Sequence, residues 1–175
     1  MHDTKVKLSD EIERHTLTVL VDNEAGALAR VVGLFSGRGY NIESLTVAEV
    51  DATARTSRIT IVTSGTPAVI EQIEAQLRRL VMTHRVTNWT STEGGIEREM
   101  ALVKVSGLGE KRVEALRMAD AFRARPVDTT HSSFVFEITG APSKIDSFVE
   151  LMKPLGLVDV SRTGVAAISR GPEAM

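Results

Sequence analysis

The sequence predicts an α+β chain of two tandem βαββαβ units, each a four-stranded antiparallel sheet with both helices on one face. Three observations predict it. Segments whose apolar residues alternate at the strand period and segments at the helical period succeed one another in the order β, α, β, β, α, β. A stretch of small polar residues and paired glycines, Ser91-Thr92-Glu93-Gly94-Gly95, then divides the chain near its middle. Beyond it the order repeats. A shift of 75 residues lays Gly140-Ala141-Pro142 on Gly65-Thr66-Pro67, Phe134 and Phe136 on Ile59 and Ile61, and Ile145, Phe148, Met152 and Leu155 on Ile70, Ile73, Leu77 and Leu80.

The first strand is expected over His15–Val21, where Leu17, Val19 and Val21 share a face. Asp22-Asn23-Glu24-Ala25-Gly26 breaks the alternation with turn and cap residues. A helix follows from Ala27, with Leu28, Val31, Val32 and Phe35 as its apolar stripe and Gly37 and Gly39 ending it. Tyr40–Val50 reads as the second strand, Asp51–Arg55 as a hairpin loop and Thr56–Thr63 as the third strand. Pro67 suits the first turn of a second helix, where no backbone donor is lost. That helix places Ile70, Ile73, Leu77 and Leu80 in the core and pairs Glu74 with Arg78 at i, i+4. His84–Thr90 is the fourth strand.

In the second half, Met100–Ser106 is a strand and Glu110–Phe122 a helix turning Val113, Leu116 and Ala119 or Asp120 inward. Pro126–Thr130 and Phe134–Thr139 form a hairpin, Ser143–Met152 a helix and Leu157–Ile168 a final strand. The expected division is an extension over 1–14, units at 15–91 and 97–171, a linker at 92–96 and a tail at 172–175. Both units have the ferredoxin-like arrangement. Each leaves the second face of its sheet open, which predicts association through sheet edges or faces.

Composition narrows the function. At 42% hydrophobic and 25% charged the chain is a folded protein, and with 4% aromatics its core is chiefly aliphatic. A net charge of −2 provides no long-range field for nucleic acid or anionic lipid. No cysteine is present, so disulfides, thiolate metal sites and cysteine nucleophiles are excluded. The start is polar and acidic, without the apolar core of a signal peptide, and no apolar run reaches the roughly 18 residues of a membrane helix. A cytoplasmic location is expected.

Catalytic patterns are missing as well. His2, His15, His84 and His131 are scattered without metal-ligand or triad spacing, and His15 and His84 read as surface or strand-end residues. No Walker loop, nucleophile elbow or zinc-protease motif occurs. Gly107-Leu108-Gly109 lacks the third glycine of a dinucleotide loop and reads as an ordinary strand-to-helix turn. RNA-binding βαββαβ domains stack bases on aromatics of their central strands. Here Thr16–Leu20 and Ser57–Ile61 carry none, and Phe134 and Phe136 fall in register with core isoleucines. A non-enzyme, without catalytic or metal-binding residues of its own, is the expectation.

The chemically informative stretch is Asp22–Phe35. A strand passes into a helix through a residue without a side chain, leaving main-chain N–H groups at the positive end of the helix dipole, where a carboxylate can sit. Asn23 offers an amide oxygen to an ammonium and an amide N–H to a carboxylate. A free amino acid carries both groups on one carbon. A small apolar side chain finds space near Ala27, Ala29 or Ile42. Local chemistry alone favours a plainer reading, an Asx turn that caps the helix.

Residues 23–48, NEAGALARVVGLFSGRGYNIESLTVA, closely resemble the signature of the acetolactate synthase small subunits. Similarity continues through Ile70–Val81, Glu97–Val105 and Arg162–Gly171, covering about residues 14 to 171. The resemblance implies an ACT domain, a ligand-binding βαββαβ module, followed by an ACT-like domain. It implies a homodimer formed through the ACT domains, with branched-chain amino acid bound at the dimer interface. It implies a large catalytic partner that holds thiamine diphosphate, FAD and magnesium, and that this chain activates and subjects to feedback inhibition, by valine or another branched-chain amino acid. Carried over by position, effector contacts fall on Asn23, Gly26, Ala27 and Leu28 of one protomer and on Asn41 and Ile42 of the other. Ala29 departs from members that have serine there, removing a hydroxyl contact. No counterpart of Asn23–Ala27 occurs in the second half, so no effector is expected there by the same mode. The alternative is a free-standing ACT sensor that regulates a different target.

Overall fold

The computed structural model describes residues 11–91 and 95–174. They divide into two compact units, one made of the residues up to Ile96 with those from Ala167 onward, the other of Glu97–Ala166. The expected linker residues Thr92, Glu93 and Gly94, and residues 1–10 of the expected extension, lie outside the described residues.

The first unit runs β1 (Glu13–Asp22), α1 (Ala27–Arg38), β2 (Ser44–Asp51), β3 (Thr56–Gly65), α2 (Pro67–Arg79) and β4 (Thr83–Asn88). Its sheet is antiparallel in the order β2-β3-β1-β4. Leu17 lies opposite Ile61 and Val19 opposite Ile59, so the alternating residues of the two central strands form rows beneath the helices. Ile70, Ile73 and Leu77 of α2 close the core as expected, with Pro67 in the first turn. The Glu74–Arg78 pair forms at 2.7 Å.

Two expectations for α1 are corrected. Its buried residues are Ala27, Val31 and Phe35, supported by Leu34, while Leu28 is 40% exposed. The buried face is set by Ala27, one position before Leu28, and includes Leu34 packed partly against the core. A search for large apolar residues therefore misplaces the face by part of a turn. Gly37 lies within the helix; Gly39 alone ends it, in the left-handed conformation (φ 69°), its N–H directed at Phe35 O and Ser36 O. Tyr40 packs edge-on against Phe35, at 6.0 Å between ring centroids, and the chain crosses to the sheet before β2 begins. The second strand therefore starts at Ser44, and Asn41 and Ile42 belong to the crossing.

The second sheet face of this unit is not open as expected. Thr16, Thr18, Thr60 and Val62 on that face are each at most 3% exposed. Trp89, just beyond β4, covers part of it and donates its indole N–H to Thr18 Oγ1 at 2.7 Å. His15 is likewise buried, 6% exposed, with Nδ1 beside the Asn88 amide, rather than a surface residue.

The second unit contains β5 (Gly95–Ser106), whose first two residues fall with the first unit, then α3 (Gly109–Ala121), β6 (Arg125–Thr129), β7 (Ser133–Gly140), α4 (Pro142–Met152) and β8 (Leu157–Arg162); β9 (Ala166–Ser169) follows and from Ala167 belongs to the first unit. The order β6-β7-β5-β8 reproduces that of the first sheet, with β9 also paired to β5. Val103 faces Phe136 and Val105 faces Phe134, and both phenylalanines are buried. Ile145, Phe148 and Met152 occupy the α4 positions that the 75-residue shift assigns to the core. The final strand is broken: Thr163 donates its N–H to Met100 O at 3.0 Å and Gly164 takes φ 85°, separating β8 from β9.

Helix α3 corrects a further expectation. It buries Ala115 and Ala119, with Met118 and Phe122 partly buried, whereas Val113 and Leu116 are 50% and 40% exposed. Phe122 meets Phe148 at 5.4 Å and the Arg112 guanidinium lies 3.9 Å over the Phe134 ring. The packing face thus includes an arginine held by a cation–π contact, which hydrophobic periodicity does not register.

Glu99, 5% exposed, accepts hydrogen bonds from two guanidinium nitrogens of Arg162, which also reaches Asp146 at 2.6 Å. The hydrogen bond to Glu99 is the main cause holding the Arg162 pKa above its ordinary value. Arg162→Ala leaves a buried carboxylate unpaired. The expected loss is about 2–3 kcal/mol in urea unfolding, below a fully buried pair because Arg162 is partly solvated. An unchanged urea midpoint would remove this pair from the unit's stabilising contacts.

Candidate functional site

The corner joining β1 to α1 is built from main-chain contacts. Asp22 N–H donates to Met82 O at 3.0 Å and Asn23 N–H to Arg55 O at 2.7 Å, so two distant turns hold the end of β1. His84 Nε2 meets Asp22 Oδ1 at 2.7 Å from β4. Glu24 turns away to an ion pair with Arg30 at 2.6 Å. Gly26 is the N-cap residue at φ 88°, ψ −5°, a conformation that strains any residue with a Cβ.

This geometry answers the choice between a capped turn and an open corner. No side chain caps α1, and no acidic residue occupies its first turn. Asn23 is exposed and makes no side-chain hydrogen bond among the described residues, so the Asx-turn cap is not formed. The helix dipole is uncompensated at its start, and the space above Gly26 is free of atoms within 4 Å of an added Cβ. Ala27 N–H turns back to Glu24 O at 3.2 Å, which leaves the N–H groups of Leu28 and Ala29 for an anionic group.

Asn23, Gly26, Ala27 and Leu28 stand together at this end of α1; Ala27 is buried and the other three are exposed. Asn41 and Ile42 lie beyond the other end. Asn41 O accepts from Thr63 Oγ1 at 2.7 Å, and Ile42 packs partly against the core. Residues 29–38 of α1 lie between the two groups, a rise of about 15 Å. One copy of the chain therefore does not assemble all six.

A second feature of the unit is its unfinished edge. Val47 of β2 lies opposite Ile59, which lies opposite Val19, which lies opposite Val86, making one row across the sheet. The inner members of that row are buried, yet Val47 is 43% exposed, and Val50 at the end of β2 is 47% exposed. The core row continues to an edge strand that nothing covers among the described residues. Sequence alternation identified the strand but not its edge position, because pairing order depends on contacts distant in the chain.

Among the described residues no group of three or more metal-ligating side chains occurs, and no helix is long and apolar enough to cross a membrane.

Comparison with known proteins agrees with this architecture. The model of the AHAS small subunit-like ACT domain matches residues 17–85, and that of the small subunit of acetolactate synthase matches residues 98–171. The probable acetolactate synthase small subunit of Archaeoglobus fulgidus is 44% identical over 158 residues, 90% of this chain and 98% of that protein. The acetolactate synthase isozyme 3 small subunit of Escherichia coli is 44% identical over 163 residues, 93% of this chain and 99% of its own. The crystal structure of the acetolactate synthase small subunit from Thermotoga maritima superposes with a TM-score of 0.78 at 36% identity, covering 92% of this chain and 99% of that one. By fold and by the corner before α1, the protein is of the ACT-domain class. With both halves matched and relatives aligned over nearly their whole length, the chain belongs to the acetolactate synthase small-subunit family.

Proposed function

We propose that the chain is a regulatory subunit that binds and activates the large catalytic subunit of acetolactate synthase and lets valine, or another branched-chain amino acid, inhibit it. The observation that carries this reading is the uncapped start of α1 behind a left-handed Gly26, beside an Asn23 amide that no side chain claims. A free amino acid would place its carboxylate on the first-turn N–H groups and its ammonium on Asn23 Oδ1. Its branched side chain would lie between Ala27 of one copy and Ile42 of a second. The chain performs no chemical step; thiamine diphosphate, FAD and magnesium belong to the large subunit, and the complex works in the cytoplasm.

Inhibition follows if the bound effector favours one arrangement of two copies and the catalytic partner responds to that arrangement. The coupling needs differential affinity between the two arrangements, of about 1–3 kcal/mol. Purified chain added to the purified large subunit should raise acetolactate formation and make it valine-sensitive, while the chain alone forms none. A large subunit neither stimulated nor made sensitive to valine, leucine or isoleucine would refute the role.

A further inference from the structure

Arg30, Leu34 and Arg38 stand four residues apart along α1, while Gln76, Arg79 and Leu80 follow at helical spacing at the end of α2. Together they line a groove of about 450 Å³ on the first unit. Its floor is apolar, since Leu34 and Leu80 are partly buried against the core. Its rim is cationic. Arg30 is engaged by Glu24, but Arg38 and Arg79 are exposed and have no ion pair among the described residues. Val81, directly after Leu80, is 100% exposed.

Helix dipoles favour a cation in the last turn of each helix. They do not account for arginines of two helices facing one apolar floor, in a chain whose net charge is −2. Neither do they account for a fully solvated valine beside it. Arginine around an apolar centre is the composition of a protein-recognition surface, and its uncompensated charge selects an acidic counterpart. A nucleic-acid backbone would use the guanidinium groups but not the leucine floor.

We propose that this groove docks an acidic segment of the large catalytic subunit, with carboxylates on Arg38 and Arg79 and an apolar side chain over Leu34 and Leu80. The inference rests on the regulatory role proposed above and names the surface through which that role is exerted. It shares no residue with the effector corner, so docking and effector binding separate experimentally.

The test pairs the full chain, as wild type, R38Q/R79Q and R38E/R79E, with the purified large subunit. Association is followed by sedimentation and by stimulation of acetolactate formation. Charge reversal should weaken association by about tenfold or more, with neutralisation falling between. Wild-type association should weaken with salt, and that of R38E/R79E should show little of this dependence. Calorimetric titration of valine into each isolated variant should match wild type, showing that fold and effector site are intact. If R38E/R79E associates and activates as wild type does, the groove is overturned while the regulatory role stands. Should wild type itself neither bind nor stimulate the large subunit, both are overturned. Loss of valine binding by both variants would also overturn the groove as a separate surface. Wild-type binding of a labelled oligonucleotide that R38E/R79E loses would replace the acidic segment with nucleic acid.

Discussion

Gly26→Asp is expected to abolish feedback inhibition while leaving activation of the large subunit in place. The substitution puts a carboxylate where the effector carboxylate would lie, at a helix start that no side chain now caps. An Asp there both repels the ligand and supplies its own oxygens to the first-turn N–H groups. Charge-assisted hydrogen bonds are worth about 1.5–3 kcal/mol, so the valine concentration for half-inhibition should rise by roughly 10- to 150-fold. The fold should survive. Nothing lies within 4 Å of the added Cβ, and the left-handed backbone at φ 88° costs a non-glycine residue about 1–2 kcal/mol, which Asp and Asn tolerate best. Gly26→Asn carries the same strain without the charge and should shift inhibition far less. Half-inhibition by valine unchanged in Gly26→Asp would remove this corner from the effector site.

Much of the architecture is legible in the residues because strand alternation and the Gly-x-Pro turns are local signals. Ile59 and Ile61, like Phe134 and Phe136 at the matching shift, lie in the core rows of their sheets. The faces of α1 and α3 were less legible, for a common reason. In each, alanines are among the buried residues (Ala27 in α1, Ala115 and Ala119 in α3), while larger residues such as Leu28, Val113 and Leu116 are left outside. Helical periodicity weights the large apolar residues and rotates the predicted face toward them. The burial of Thr18 was invisible too, because Trp89, which donates its indole N–H to it, lies 71 positions away in the chain.

At the candidate site the glycine turn and Asn23 were legible, since both are local chemistry. What the sequence left open was whether Asn23 caps the helix, and this depends on where the chain actually bends. The bend falls at Gly26, three residues later, so the amide is free for another partner. The anchoring of the corner by Arg55 and Met82 carbonyls carries no sequence signal at all, because any residue type supplies a carbonyl.

Val47→Asp should convert a dimer into monomers and abolish valine binding at the same time. We propose that the two copies associate through the edge strand β2, so that the exposed end of the Val47–Ile59–Val19–Val86 row is where apolar surface would be buried between them. Two-fold symmetry places two introduced carboxylates at one interface, so each substitution acts twice. Losses of about 2–4 kcal/mol are typical at the centre of such contacts, raising the dimer dissociation constant by roughly 30- to 1,000-fold. Because Val47 is already 43% exposed in the single chain, the isolated unit should lose only about 0.5 kcal/mol of stability. The coupling between the two effects is the diagnostic feature. Asn23–Leu28 and Asn41–Ile42 lie at opposite ends of the same helix, so a monomer would offer an incoming amino acid only part of the six proposed contact residues at either end. Sedimentation and valine titration on one preparation therefore test the geometry directly. Gly26→Asp should remain dimeric without valine binding, whereas Val47→Asp should lose both. A monomeric Val47→Asp chain that still binds valine with wild-type affinity would place the whole effector site within one protomer and exclude Asn41 and Ile42 from it.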